Sequence, residues 1–155
     1  MDLGSVIAGV AGIISGLTPG VLPGNPFARF AIESPAGLDE TAALTVRAFD
    51  VAPVGAPFEG PGISASGAPG TLRQELAVRV CYWRGGFQST PAHANAIAKD
   101  AGQMIGALRN PANWASFATN LFPDGSRLGR AEMFDDGGSS IGAILELRVI
   151  AEWEV

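Results

Sequence analysis

The chain is predicted to fold as an α+β domain. The expected form is a small antiparallel sheet, with an N-terminal helix and one long helix packed on one face and a long Gly/Pro-rich loop between the middle strands. Three stretches carry that prediction. From Leu145 to Val155 the odd positions are Leu145, Leu147, Val149, Ala151, Trp153 and Val155, and the even ones are Glu146, Arg148, Ile150, Glu152 and Glu154. Period-2 alternation of this kind gives a strand with one apolar and one mostly charged face. Leu72 to Trp83 alternates in the same way, with Leu72, Leu76, Val78, Val80 and Tyr82 on one face and Arg73, Glu75, Ala77, Arg79, Cys81 and Trp83 on the other. Between them, Ile97, Ala101, Met104, Ile105 and Leu108 recur at helical spacing, the mark of an amphipathic helix.

The remaining elements follow in chain order. Leu3, Val6, Ile7, Val10, Ile14 and Leu17 fall on one helical face. Gly4, Gly9, Gly12 and Gly16 weaken that helix by up to ~1 kcal/mol each, so it needs something packed close against it. Thr18-Pro19-Gly20 ends it, and Val21 to Pro26 is a connector broken by Pro and Gly. Phe27–Ile32 is a short strand, Ser34–Gly37 a turn, and Leu44–Val51 a better strand. Residues 52–71 hold nine Pro and Gly and read as an extended loop or arm, with Phe58 and Ile63 as its apolar anchors. Two readings stay open for it: a hairpin loop without partners, or an arm that orders against a neighbouring subunit. The long helix starts at Thr90-Pro91, with Thr90 as cap, and stops at Asn110-Pro111. Trp114, Phe117, Leu121 and Phe122 form a second apolar patch on a short helical turn. Pro123–Ser126 is a turn, Leu128–Phe134 a short strand and Asp135–Gly138 another turn.

Composition narrows the function classes. At 155 residues the chain is expected to be one domain, 1–155. Hydrophobic residues make up 47% and charged ones 16%, which permits a sizeable core with less than the usual surface charge. The net charge of −5, with Lys99 as the sole lysine, argues against a sequence-independent grip on nucleic acid, which needs Lys and Arg against phosphate. A single cysteine, Cys81, allows no intrachain disulfide, and one His and one Cys build no usual zinc site. The apolar N-terminal run has no Lys or Arg before Arg29, so it lacks the positive region of a signal peptide. It is also too short and Gly-rich to span a membrane.

No catalytic signature emerges. Asp135 and Asp136 are adjacent carboxylates, but strand neighbours point apart and Asp-Gly is an ordinary turn pair. His93, in the first helical turn, has no Ser, Cys or Asp partner assigned by spacing. Cys81, mid-strand, reads as a small packed residue. No metal, cofactor or enzyme activity is expected. The charged face of the last strand, Glu146, Arg148, Glu152 and Glu154, would make an acidic lumen if copies formed a ring with that face inward. DNA could then pass without sticking.

Three runs carry a resemblance: Val78-Arg79-Val80-Cys81-Tyr82-Trp83-Arg84-Gly85-Gly86 before the long helix, Ile105 to Trp114 at its end, and Ile144 to Trp153 in the last strand. Together they cover about half the chain, and the Leu-x-x-Pro-Ala-Asn-Trp helix end and Leu-Glu-Leu-Arg-Val strand are the strongest parts. The pattern resembles the tail terminator (tail completion) proteins of long-tailed bacteriophages and related gene transfer agents. The 52–71 stretch departs from it if the family's connection there is shorter. The resemblance implies a virion protein of the tail and neck, assembled in the host cytoplasm. It would form a hexameric ring that caps the tail tube, ends its polymerisation and offers a joining surface to the head. Its partners would be further copies of itself, the tail tube protein and a neck or head-completion protein, with DNA passing through the lumen and no membrane involved. The subunit contacts expected on this basis are Phe58, Ile63, Trp114, Phe117 and Phe122. A head-completion or adaptor protein of the neck is the alternative, and a small binding module a more distant one.

Overall fold

Asp2 starts the first helix. The computed structural model of the protein describes residues 2–29, 47–55, 70–82, 90–135 and 138–154. Helix α1 spans Leu3–Ser15, and the Asp2 carboxylate accepts from the Ser5 N–H at 2.7 Å, satisfying one of the unpaired first-turn donors. Val6, Val10 and Ile14 are fully buried. The close neighbour that a Gly-rich helix needs is Phe117: a Cβ at Gly9 would sit 2.5 Å from its ring. Helix α2 spans Thr90–Arg109 and begins at the residue expected to cap it.

Five strands form one sheet in the order β1-β2-β3-β5-β4. They are β1 (Phe27–Arg29), β2 (Arg47–Pro53), β3 (Thr71–Tyr82), β4 (Asn120–Asp135) and β5 (Gly138–Glu154). The expected α+β class with a small sheet is what the structure shows, but the sheet is mixed. β1 pairs with β2 in parallel, Phe27 opposite Arg47, while the other pairs are antiparallel. A parallel pair needs a crossover of a dozen or more residues. Seventeen residues lie between Arg29 and Arg47, which is enough; residues 44–46 of the expected strand lie outside the described residues.

β4 corrects two expectations. Pro123–Ser126 is not a turn between elements but a bulge within one strand, and pairing with β5 shifts register between Pro123 and Ser126. Gly125, at φ 120°, supplies the conformation an L side chain resists. Pro123 is tolerated because β4 is an edge strand. The strand therefore starts at Asn120 and takes in Leu121 and Phe122, which the sequence pattern had placed on a helical turn. β5 begins at Gly138, earlier than its alternation suggested, and is internal, held by β3 on one side and β4 on the other.

Helices cover one sheet face. The core joins Val6, Val10 and Ile14 of α1 and Ile97, Met104 and Leu108 of α2 to strand residues of a single parity. These are Phe49 and Val51, Leu76 to Tyr82 at alternate positions, and Leu145, Leu147, Val149, Ala151 and Trp153. Burying side chains of this size contributes about 1.5–3 kcal/mol each. Opposite-parity residues Ala48, Ala77, Cys81 and Ile150 are also buried but stand outside that core.

Candidate functional site

The end of α2 is a capping module. Asn113 Nδ2 donates to the Ala107 carbonyl and Trp114 Nε1 to the Leu108 carbonyl, each at 2.9 Å. Both carbonyls lie in the last turn, where a helix has no internal donors. Asn110 Oδ1 accepts from the Ala112 N–H at 3.1 Å and caps the 3-10 turn Pro111–Asn113. The run from Leu108 to Trp114 is thus a helix terminator built of side-chain hydrogen bonds. Trp114 is 9% exposed and committed inside the chain, so it offers little to a neighbour. Phe117 is half-buried on α1, and Phe122 lies on the opposite sheet face, where the Arg73 guanidinium sits 5.8 Å from its ring centroid. The structure therefore splits the expected patch across both faces of the sheet. Phe58 and Ile63 lie outside the described residues.

The sheet face away from the helices carries the charges. Glu146, Arg148, Glu152 and Glu154 share it, as their alternation predicts. Its character differs from the acidic surface expected. Arg148 bridges Glu146 at 2.8 Å and Glu75 at 3.0 Å, and Arg127 reaches Glu146 at 3.2 Å. Arg79 pairs with Asp50 at 3.1 Å, and Arg73 lies 3.8 Å from Glu152, which also accepts from Asn120. Among the described residues four arginines (73, 79, 127, 148) thus face five carboxylates (50, 75, 146, 152, 154), close to neutrality. Each exposed pair contributes at most about 1 kcal/mol.

A third feature was missed in the sequence. Arg47 and Asp100 are both 0% exposed, and Arg47 Nε donates to Asp100 Oδ2 at 2.5 Å. The Tyr82 hydroxyl donates to the same oxygen at 2.9 Å. Arg47 also donates to the carbonyls of Val21, Leu22 and Asn25. Burial pushes the Asp100 carboxyl above its ordinary value, opposed by the Arg47 guanidinium and the Tyr82 hydroxyl. Burial, reinforced by the Asp100 charge, pushes the Tyr82 phenol up as well. The signal was available: Asp100 stands three residues after Ile97 and four before Met104, on the apolar stripe of α2, where a carboxylate must find a buried partner.

Of the other candidates, only Cys81 has a described side chain. Cys81 is buried and desolvation pushes its thiol up to about 11, as befits a packed residue. His93 lies in the first turn of α2 and Asp135 ends β4; their side chains, like Asp136, lie outside what is described. Among the described residues no group of three or more His, Cys, Asp or Glu could hold a metal ion, and no helix is long and apolar enough to cross a membrane. A groove of about 400 Å³ between α1 and the end of α2 is lined by Gly9, Gly12, Ile13, Gly16, Leu17 and Ala107, without a titratable group. No family model matches the chain, and no curated protein is significantly similar to it.

Proposed function

We propose that this chain is a structural virion protein that forms a ring, expected to be a hexamer, capping a phage tail tube. The ring ends tube polymerisation and provides the head–tail joining surface. The observation that carries the proposal is the sheet face that no described helix covers, with its charges matched in pairs. In a ring with that face inward, near-neutrality gives DNA no run of cations to exchange for its counterions. Passage then rests on the absence of attraction more than on repulsion. The resemblance at the α2 terminator and at β5 lends support, since both runs build the fold: one closes the helix, the other is an internal strand.

A ring is a closed set of heterologous contacts, one surface of each subunit against a different surface of the next. Phe122 on the outer face and Leu128, 60% exposed, are the apolar groups positioned to serve there. The test is mass by light scattering after size exclusion, then negative-stain imaging with and without tail tubes. A hexamer-sized ring with a central hole, in solution or only on tube ends, is the expected result. A monomer indifferent to both tubes and neck proteins overturns the proposal. A ring that binds neck proteins and ignores tubes transfers it to a head-completion role.

A further inference from the structure

The connector between α1 and β1 is held to the body by polar contacts that converge from two side chains. Gln103 of α2 donates to the Thr18 carbonyl at 3.0 Å and accepts from the Gly20 N–H at 3.2 Å. Arg47 holds the carbonyls of Leu22 at 3.0 Å, Asn25 at 2.5 Å and Val21, while its Nε is anchored on Asp100. Inside this clamp Leu22 has φ 52°, and among the described residues no other non-glycine has a positive φ. Its side chain is 40% exposed, so burial does not repay the conformation. A Cβ in the left-handed region crowds the following carbonyl, and such a residue persists only where its surroundings over-determine it. Here the surroundings include the Arg47 guanidinium anchored on Asp100, the Gln103 amide and the Asn25 N–H, which donates to the Leu22 carbonyl at 3.0 Å. The anchor is itself incomplete: Asp100 Oδ1 is buried and makes no hydrogen bond among the described residues.

We propose that Thr18–Asn25 is a strap that opens and closes as a unit over α2, latched by the buried Arg47–Asp100 pair and loaded by the left-handed backbone at Leu22. Opening relaxes Leu22 at the cost of the carbonyl contacts, while β3, β5 and β4 keep their own ladder. The strap is therefore a two-state element beside a sheet that keeps its pairing. The proposal does not depend on ring assembly.

Hydrogen exchange by mass spectrometry on the full-length protein tests it. The reporters are the Gly20 and Asn25 amides, which bond to Gln103 Oε1 and the Leu22 carbonyl. In the native protein they should exchange well before the β3 and β5 amides, with little dependence on denaturant. Arg47→Lys loses the planar fork and should speed their exchange by about tenfold or more, leaving β3 and β5 unchanged. Leu22→Asn, which tolerates the left-handed region, should slow it several-fold. Asp100→Asn should act as Arg47→Lys does. If it unfolds the chain instead, the Arg47 and Leu22 variants still decide. Strap amides that exchange only together with β3 and β5, or variants that speed every element alike, overturn the proposal.

Discussion

Replacing Gly9 with Ala sets two effects of known size against each other. Ala is better than Gly in a helix interior by about 0.8–1.0 kcal/mol. At Gly9, however, the new Cβ would meet Phe117 Cδ1 and Cε1 at 2.5 Å and Cγ at 2.6 Å, closer than real Cβ contacts come. Cγ is the root of the ring, so relief cannot come from swinging a free tip; the whole aromatic group must shift against α1. Overpacking of this kind costs about 1–3 kcal/mol. Gly9→Ala should therefore range from neutral to about 2 kcal/mol destabilising. Gly12 is the control, in the same helix, exposed and with nothing within 4 Å of a built Cβ. Gly12→Ala should stabilise by about 0.8–1.0 kcal/mol. Urea unfolding followed by tryptophan fluorescence gives both values. In a Phe117→Ala background the obstacle is gone, and Gly9→Ala should recover the gain seen at Gly12, a coupling of about 1–3 kcal/mol. If Gly9→Ala stabilises the unaltered protein as much as Gly12→Ala does, close packing is not the reason for glycine in α1.

Other perturbations test other links. The Asp2 carboxyl is held below its ordinary value of 3.8, chiefly by the Ser5 backbone N–H. Its cap contribution is present above pH 3.8 and lost as pH falls through the lower folded value, so Asp2→Asn should flatten the stability profile there. Asp100, displaced upward, has the opposite sign: its contribution falls as pH rises from 3.8 toward its folded value. With its pKa near 11, Cys81 at pH 8 is thiolate on the order of one part in a thousand. A disulfide reagent should leave it untouched in native protein and titrate one thiol in denaturant; fast native labelling would contradict its burial. Truncation after Arg148 removes the partners of Thr71–Leu76 and of Asn120–Pro123, with buried Val149, Ala151 and Trp153. The product should be insoluble, and a soluble folded one would show that β5 is dispensable.

The elements that could be read from sequence are those whose periodicity reports one environment. α2 repeats at helical spacing from Ile97 to Leu108 between clear start and stop signals, and β3 alternates cleanly, so their limits were close, while β5 alternates cleanly only from Leu145 and its start at Gly138 was missed. β4 was obscure because one strand passes through a bulge of turn residues, and local composition cannot tell a bulge from a chain reversal. β1 was placed but not its direction, which depends on a crossover and not on its own three residues. The terminator of α2 was legible as a stop signal but not as a hydrogen-bonded unit. Trp114 therefore looked like a surface anchor, although its indole is consumed by the Leu108 carbonyl. Charges on β5 were visible, but apart from the Glu146–Arg148 pair within the strand their partners come from β3 and β4 and exist only once register is known.

That register turns the charged face into a specification of the fold. β3 and β5 pair so that Glu146 is opposite Arg79 and Glu152 opposite Arg73. Opposite charges directly across a ladder are favourable and like charges unfavourable. A one-residue slip is already forbidden, since it would turn Leu147, Val149 and Trp153 out of the core. A two-residue slip would keep the core face inward, so alternation alone does not exclude it. In one direction such a slip sets Arg148 opposite Arg79 and Glu152 opposite Glu75, both repulsive, against one attractive pair, Glu154 opposite Arg73. In the other it places Glu146 opposite Ala77 and Glu152 opposite Thr71, trading two attractive pairs for one, Arg148 opposite Glu75. Apolar alternation therefore fixes which face is inside, and the arginine–carboxylate ladder fixes where along the strand the pairing starts. Near-neutrality of the outer face follows, because each acidic residue that specifies register needs a cation across from it.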